Sequence, residues 1–111
     1  MKLVPKSERD LGTLPVVRED PDVVQRLADT ADKAGVSSPE AIRQLLAAYV
    51  ARPYDLEKLP VARRGLTSRL GPVKLDAAVL EGFQRHAEDA ELSMGEAVRR
   101  VVRRFLDKQG T

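Results

Sequence analysis

The 111-residue sequence has no cysteine and no tryptophan, and its aromatic residues are two Tyr and two Phe. Lack of cysteine excludes disulfide scaffolds, Cys-ligated zinc fingers, iron–sulfur clusters and thiol catalysis. No apolar run approaches the ~20 residues of a membrane span. Met1-Lys2-Leu3-Val4-Pro5 does not read as a signal peptide, so a reducing, soluble, cytoplasmic setting is expected. There is no Gly-rich phosphate loop and no Ser/His/Asp constellation with a plausible cleft. His86 is the single histidine and lacks the HxxxH or HxxE spacing of a metal site. It reads as a partly buried helix residue, and the Glu88/Asp89 pair falls on exposed helix positions. Neither an enzyme nor a cofactor nor a metal is expected.

One-signed charge is also scarce, with 19 Lys+Arg against 17 Asp+Glu for a net +2. Its distribution is more informative. Residues 1–13 sum to +1, 14–51 to −2, 52–69 to +3 and 70–111 to zero. Basic charge thus gathers between two nearly balanced blocks, and again at Arg99, Arg100, Arg103 and Arg104.

Those blocks are related. An offset of 56 residues aligns 17–50 with 73–106 without a gap, and nine of the 34 positions are identical. The identities are Val17/Val73, Asp20/Asp76, Val23/Val79, Ala31/Ala87, Ala34/Ala90, Ser37/Ser93, Glu40/Glu96, Ala41/Ala97 and Arg43/Arg99. Eight further positions exchange one apolar residue for another, among them Leu27/Phe83, Ile42/Val98 and Tyr49/Phe105. Two amphipathic hairpins match at apolar positions in any case, but not at the capping residues as well. A repeated unit is therefore expected.

Each unit reads as a short strand followed by two helices. Pro72-Val73-Lys74-Leu75 alternates and ends at Asp76, a good N-cap. The stripe Val79, Leu80, Phe83, Ala87, Ala90 follows, matched by Val23, Val24, Leu27, Ala31, Ala34 behind Asp20 and Pro21. Gly35 suits a left-handed C-cap, and Glu91 fills the same place less comfortably. Ser37-Ser38-Pro39-Glu40 and Ser93-Met94-Gly95-Glu96 fit the S-x-x-E capping box that opens each second helix. A hairpin of ~35 residues has too little interior to bury both of its stripes, and a lone strand leaves both edges unpaired. The expected fold is mainly α with a short two-stranded antiparallel β-ribbon, built from two interlocked strand-helix-helix repeats. The expected divisions are a flexible tail over 1–13, a first unit over 14–51, a basic linker over 52–69 and a second unit over 70–108.

This arrangement resembles the ribbon-helix-helix DNA-binding family of the Arc, MetJ and CopG type. The resemblance rests on Val73-Lys74-Leu75-Asp76, Val79-Leu80, Ala87, Leu92-Ser93, Glu96-Ala97-Val98 and Phe105. Their counterparts are Val17-Arg18, Asp20, Val23-Val24, Ala31, Gly35-Val36-Ser37, Glu40-Ala41-Ile42 and Tyr49. It implies a pseudo-dimer whose ribbon enters the major groove of double-stranded DNA and reads base edges. Carried over by position, the outward residues are Leu14, Val16 and Arg18, with Leu70, Pro72 and Lys74. The base-reading set is then Arg18, Lys74, Val16 and Pro72. The N-termini of the second helices, Ser37, Ser38, Ser93 and Met94, would each hold a phosphate. Arg63, Arg64 and Arg69 would track the backbone from the linker, with solubilising charge as the equal alternative, as for Lys2, Lys6 and Arg9 in the tail.

Several positions depart from the pattern. Pro72 has no amide to give a ladder, Glu19 stands where an inward apolar residue such as Leu75 is expected, and Gly71 and Pro15 fill another inward position poorly. Apolar Leu14, Val16 and Leu70 point either to thymine methyls or to a ribbon that reads no bases. Arg99, Arg100, Arg103 and Arg104 read first as the solvated face of a helix, and second as a phosphate or acidic-partner contact.

The function implied is sequence-specific DNA binding on two unlike half-sites, foremost as a bacterial, phage or plasmid transcriptional repressor. Plasmid partition, a conjugative-transfer accessory role, and an antitoxin or adaptor acting through a protein partner are the alternatives, with a four-helix interaction protein behind them. The units pair either within a chain or as a homodimer. Ala47/Ala48 against Arg103/Arg104 favours the intrachain form.

Overall fold

A strand of three or four residues holds only when another strand satisfies its backbone. In the computed structural model, which describes residues 11–14, 16–56, 66–70 and 72–109, that partner comes from the other half of the chain. Strand β1 (Leu11–Leu14) pairs antiparallel with β4 (Val73–Asp76), and β2 (Val17–Glu19) pairs with β3 (Ser68–Leu70). Leu14 stands opposite Val73 and Val17 opposite Leu70, and partner numbers add to 87 in both ladders. The ladders are thus successive stretches of one ribbon, separated in sequence by Pro15-Val16 on one side and Gly71-Pro72 on the other. An offset of 56 carries the Thr13–Lys74 pair onto the Arg69–Arg18 pair. The ribbon starts at Leu11 rather than at residue 14, and it takes Ser68 and Arg69 from the segment expected as linker.

Four helices follow from local rules. They are α1 (Pro21–Lys33), α2 (Ser38–Ala51), α3 (Ala77–Asp89) and α4 (Met94–Gln109). Asp20 accepts from the Asp22 amide at 2.8 Å and Asp76 from the Ala78 amide at 3.0 Å, capping α1 and α3. Ser37 and Ser93 each accept from the amide three residues on, at 3.2 Å. Instead of standing alone, each capping-box glutamate is engaged by an arginine: Arg43 meets Glu40 at 2.7 Å and Arg99 meets Glu96 at 3.6 Å. Both first helices end in the left-handed region, at Gly35 with φ 76° and at Glu91 with φ 59°.

The helices bury one shared interior under the ribbon. Leu14, Val17, Leu70, Val73 and Leu75 point down from the strands onto Leu27, Ile42, Leu46, Phe83, Val98 and Val102. Packing crosses between the halves: α2 lies on α3, α4 and β4, while α4 lies on β2 and α1. Tyr49 of α2 meets Phe83, Tyr54 and His86 edge-on, with centroids 5.6, 4.8 and 5.5 Å away. His86 is half-buried in this cluster. The segment after α2 is also packed, since Leu56 is buried and the Tyr54 carbonyl accepts from the Tyr49 hydroxyl at 3.2 Å. Burial pushes both tyrosine hydroxyls above their ordinary pKa.

One buried group departs from this apolar interior. Glu19 has no exposed surface, and Arg103 clasps its carboxylate from α4 through Nη2 at 2.5 Å and Nε at 3.3 Å. The Asp20 amide donates to the same carboxylate at 2.8 Å. That clasp raises the pKa of the Arg103 guanidinium. The position offset by 56 from Glu19 is Leu75, which is buried without any charge.

Two stability outcomes follow. Glu91→Gly removes the steric cost of a left-handed non-glycine residue and should stabilise the chain by about 1 kcal/mol in urea titrations. Phe83→Ala opens a cavity where both halves meet and should cost about 3–5 kcal/mol in the same measurement.

Candidate nucleic-acid interface

The inner face of the ribbon is committed to the core, so the outer face is what a ligand can meet. Thr13, Val16, Arg18, Arg69, Pro72 and Lys74 are exposed, with Val16 at 45%. Arg18 and Arg69 are cross-strand partners toward one end, and Thr13 and Lys74 are partners toward the other. Val16 and Pro72 lie in sequence between the ladders.

Leu14 and Leu70 correct the expected pattern. Continuous alternation makes them outward, like Val16 and Pro72, but they are 1% and 4% exposed and belong to the core. Buried positions run Leu14, Val17, Glu19, so the two-residue period slips once between the ladders. Proline has no amide for a ladder, and two leucines gain more by burial than by facing water. The slip makes Thr13 outward, and Arg69 joins the ribbon rather than a linker arm. Sequence reasoning missed Thr13 because it lay before the expected strand.

The outward cations are held from below by the opposite half. Arg99 of α4 donates to the Arg18 carbonyl at 3.1 Å, and Arg43 of α2 donates to the Lys74 carbonyl at 3.4 Å. Donors and acceptors are both related by the 56-residue offset. Each arginine also pairs with the glutamate of its own helix. Hydrogen bonds from Arg43, then Gln44, hold the Glu40 carboxyl below its ordinary pKa. The Arg43/Arg99 identity was the visible signal of this grip, although the sequence attached no role to it.

Each helix N-terminus expected to hold a phosphate is thereby set beside a strand of the other half. Ser37 and Ser93 are exposed, whereas Ser38 and Met94 are half-buried first residues of α2 and α4. Both serine hydroxyls cap their own helices, accepting from the Glu40 and Glu96 amides. Arg63 and Arg64 lie outside the described residues, as do Pro15, Gly71, Lys2, Lys6 and Arg9.

The arginine run of α4 is not a solvated face. Arg99 donates to Arg18, Arg103 clasps Glu19, and Arg100 donates to the Leu56 carbonyl at 2.7 Å. Arg104 lies over the Tyr54 ring, 4.1 Å from its centroid. Helical spacing alone cannot distinguish such contacts from water. Among the described residues, no group of three or more His, Cys, Asp or Glu is placed to hold a metal ion. No described helix is long and apolar enough to cross a membrane.

No curated protein and no solved structure matches the chain. Residues 73–109 match the family model described as ribbon-helix-helix protein, copG family. That stretch holds β4, α3 and α4, the strand-helix-helix order that the model's name describes. The family that this model describes is a DNA-binding, non-enzymatic one whose members usually dimerise. Residues 73–109 are thus similar to one strand-helix-helix unit of the ribbon-helix-helix, copG family.

Proposed function

We propose that the chain is a tandem ribbon-helix-helix protein, two units folded into a single-chain pseudo-dimer, that binds double-stranded DNA sequence-specifically through the ribbon. One observation carries this reading. The inner face of the ribbon is packed on four helices, while the outer face presents Arg18 and Lys74 at offset-related positions. A two-stranded ribbon fits the major groove, where arginine can grip guanine through O6 and N7. Lysine reaches the same acceptors or a phosphate.

The two ends of the ribbon differ. Arg18 and Arg69 put two guanidiniums at one end, whereas Lys74 and Thr13 put one ammonium and one methyl-bearing hydroxyl at the other. The preferred site is therefore asymmetric, with guanine favoured under the Arg18–Arg69 end and a thymine methyl suited to Thr13. Val16 and Pro72 add apolar contact at the centre. First-turn amides at Ser37-Ser38 and Ser93-Met94 clamp phosphates on either side, and Arg63 and Arg64 add salt-dependent affinity. The biological role that follows is transcriptional repression, in a nucleoid- or plasmid-associated protein of a bacterium or phage. A protein that occupies a promoter-proximal site represses by excluding other proteins from it.

The test is binding to DNA flanking the protein's own gene against random duplex near physiological salt. A preference of about a hundredfold or more is expected. Arg18→Ala with Lys74→Ala should abolish the preference without changing the circular-dichroism spectrum, because both side chains are exposed. Arg69→Ala alone should cost about 1–3 kcal/mol on the specific site and relax selection at one end only. Equal affinity for both DNAs, or an unchanged preference in the double variant, contradicts ribbon readout.

A further inference from the structure

We propose that the arginine-bearing face of α4 is a pairing code, built to accept the first unit and to reject a second copy of its own. Apart from the Arg99–Glu96 pair within α4, its contacts run to residues 18–56. Arg99 and Arg103 engage Arg18 and Glu19 of the first unit, and Arg100 and Arg104 engage Leu56 and Tyr54 just after it. The offset-related positions on α2 are Arg43, Gln44, Ala47 and Ala48. Only the Arg43/Arg99 grip on the ribbon is shared. The other three contacts have no counterpart among the described residues, where Gln44, Ala47 and Ala48 replace the arginines.

The decisive pair is Glu19 with Arg103. Paired first units would set each Glu19 against the place of Ala47, leaving a carboxylate without surface and without a cation. Paired second units would set each Arg103 against Leu75. Removing a charge from water without a partner is among the most costly events in a fold. Only the unlike combination joins the two charges, with Glu19 fully buried and the Arg103 side chain 17% exposed. Arg100 and Arg104 extend the recognition by pinning the residues that leave α2. The linker then supplies the high effective concentration that favours closure within one chain. The partner this surface fits is the chain's own first unit. The inference rests on the two-unit reading but not on DNA binding.

The test uses three full-length variants: Glu19→Arg, Arg103→Glu, and the two combined. Each single exchange should lower the folded-to-unfolded ratio at least a hundredfold in denaturant titration, and the combined exchange should recover most of that loss. Refolding the two single variants together at tens of micromolar should give a two-chain complex by light scattering. In that complex each first unit has found its complementary second unit in the other chain, and helical signal returns even if neither variant folds alone. Single variants within threefold of the parent, a combined variant no better than either, or a mixture without recovery would each overturn the proposal. All readouts are taken without DNA, so a failure of ribbon readout leaves them unaffected.

Discussion

The whole architecture depends on strands that cannot stand alone. β1 and β2 carry backbone groups that neither helix of their own half can satisfy, and β3 and β4 are in the same position. Pairing strands across the halves solves this and forces α2 and α4 to cross as well. Each then packs beneath a strand of the other half. The core is consequently one shared body rather than two small ones, which matters because either half alone has too little interior for a stable domain. Separating the halves would lose the ribbon and the apolar layer together.

The same constraint defines the surface available for recognition. A ribbon packed on one face has only its other face to offer, and the fold decides which residues stand there. The slip in alternation between the ladders draws Leu14 and Leu70 inward and turns Thr13 and Arg69 outward. The outer face becomes more polar and more cationic than continuous alternation implies. Arg43 and Arg99 then brace the backbone at Lys74 and Arg18, so the outward cations project from a supported strand.

What was legible in the sequence is what local chemistry determines. Asp20, Asp76, Ser37 and Ser93 cap their helices as their side chains dictate, and Gly35 and Glu91 end the first helices in the left-handed region. The apolar stripes face the core as their spacing requires, except at Ala34, which is exposed at the end of α1. The misread features depend on distant partners. Arg103 and Glu19 are 84 residues apart, and at helical spacing the α4 arginines cannot be told from a solvated face. The inward turn of Leu14 is not legible from two-residue periodicity, because the buried positions Leu14, Val17 and Glu19 break that period once. Even so, Ala47 and Ala48 opposed to Arg103 and Arg104 already marked the repeat as unequal, and that inequality is where the buried ion pair lies.

If the chain binds DNA as proposed, the inequality of its two halves has a consequence for the site. Ordinary dimeric regulators present the same residues twice and suit palindromes, whereas a single chain with Arg18–Arg69 at one end and Thr13–Lys74 at the other has a direction. On the proposed tandem reading, one chain suffices for one complete, asymmetric site. Native mass spectrometry of the protein on a short duplex carrying its selected site tests this most directly. The account predicts one chain per duplex with the ribbon complete. Two chains on a minimal single site would contradict it.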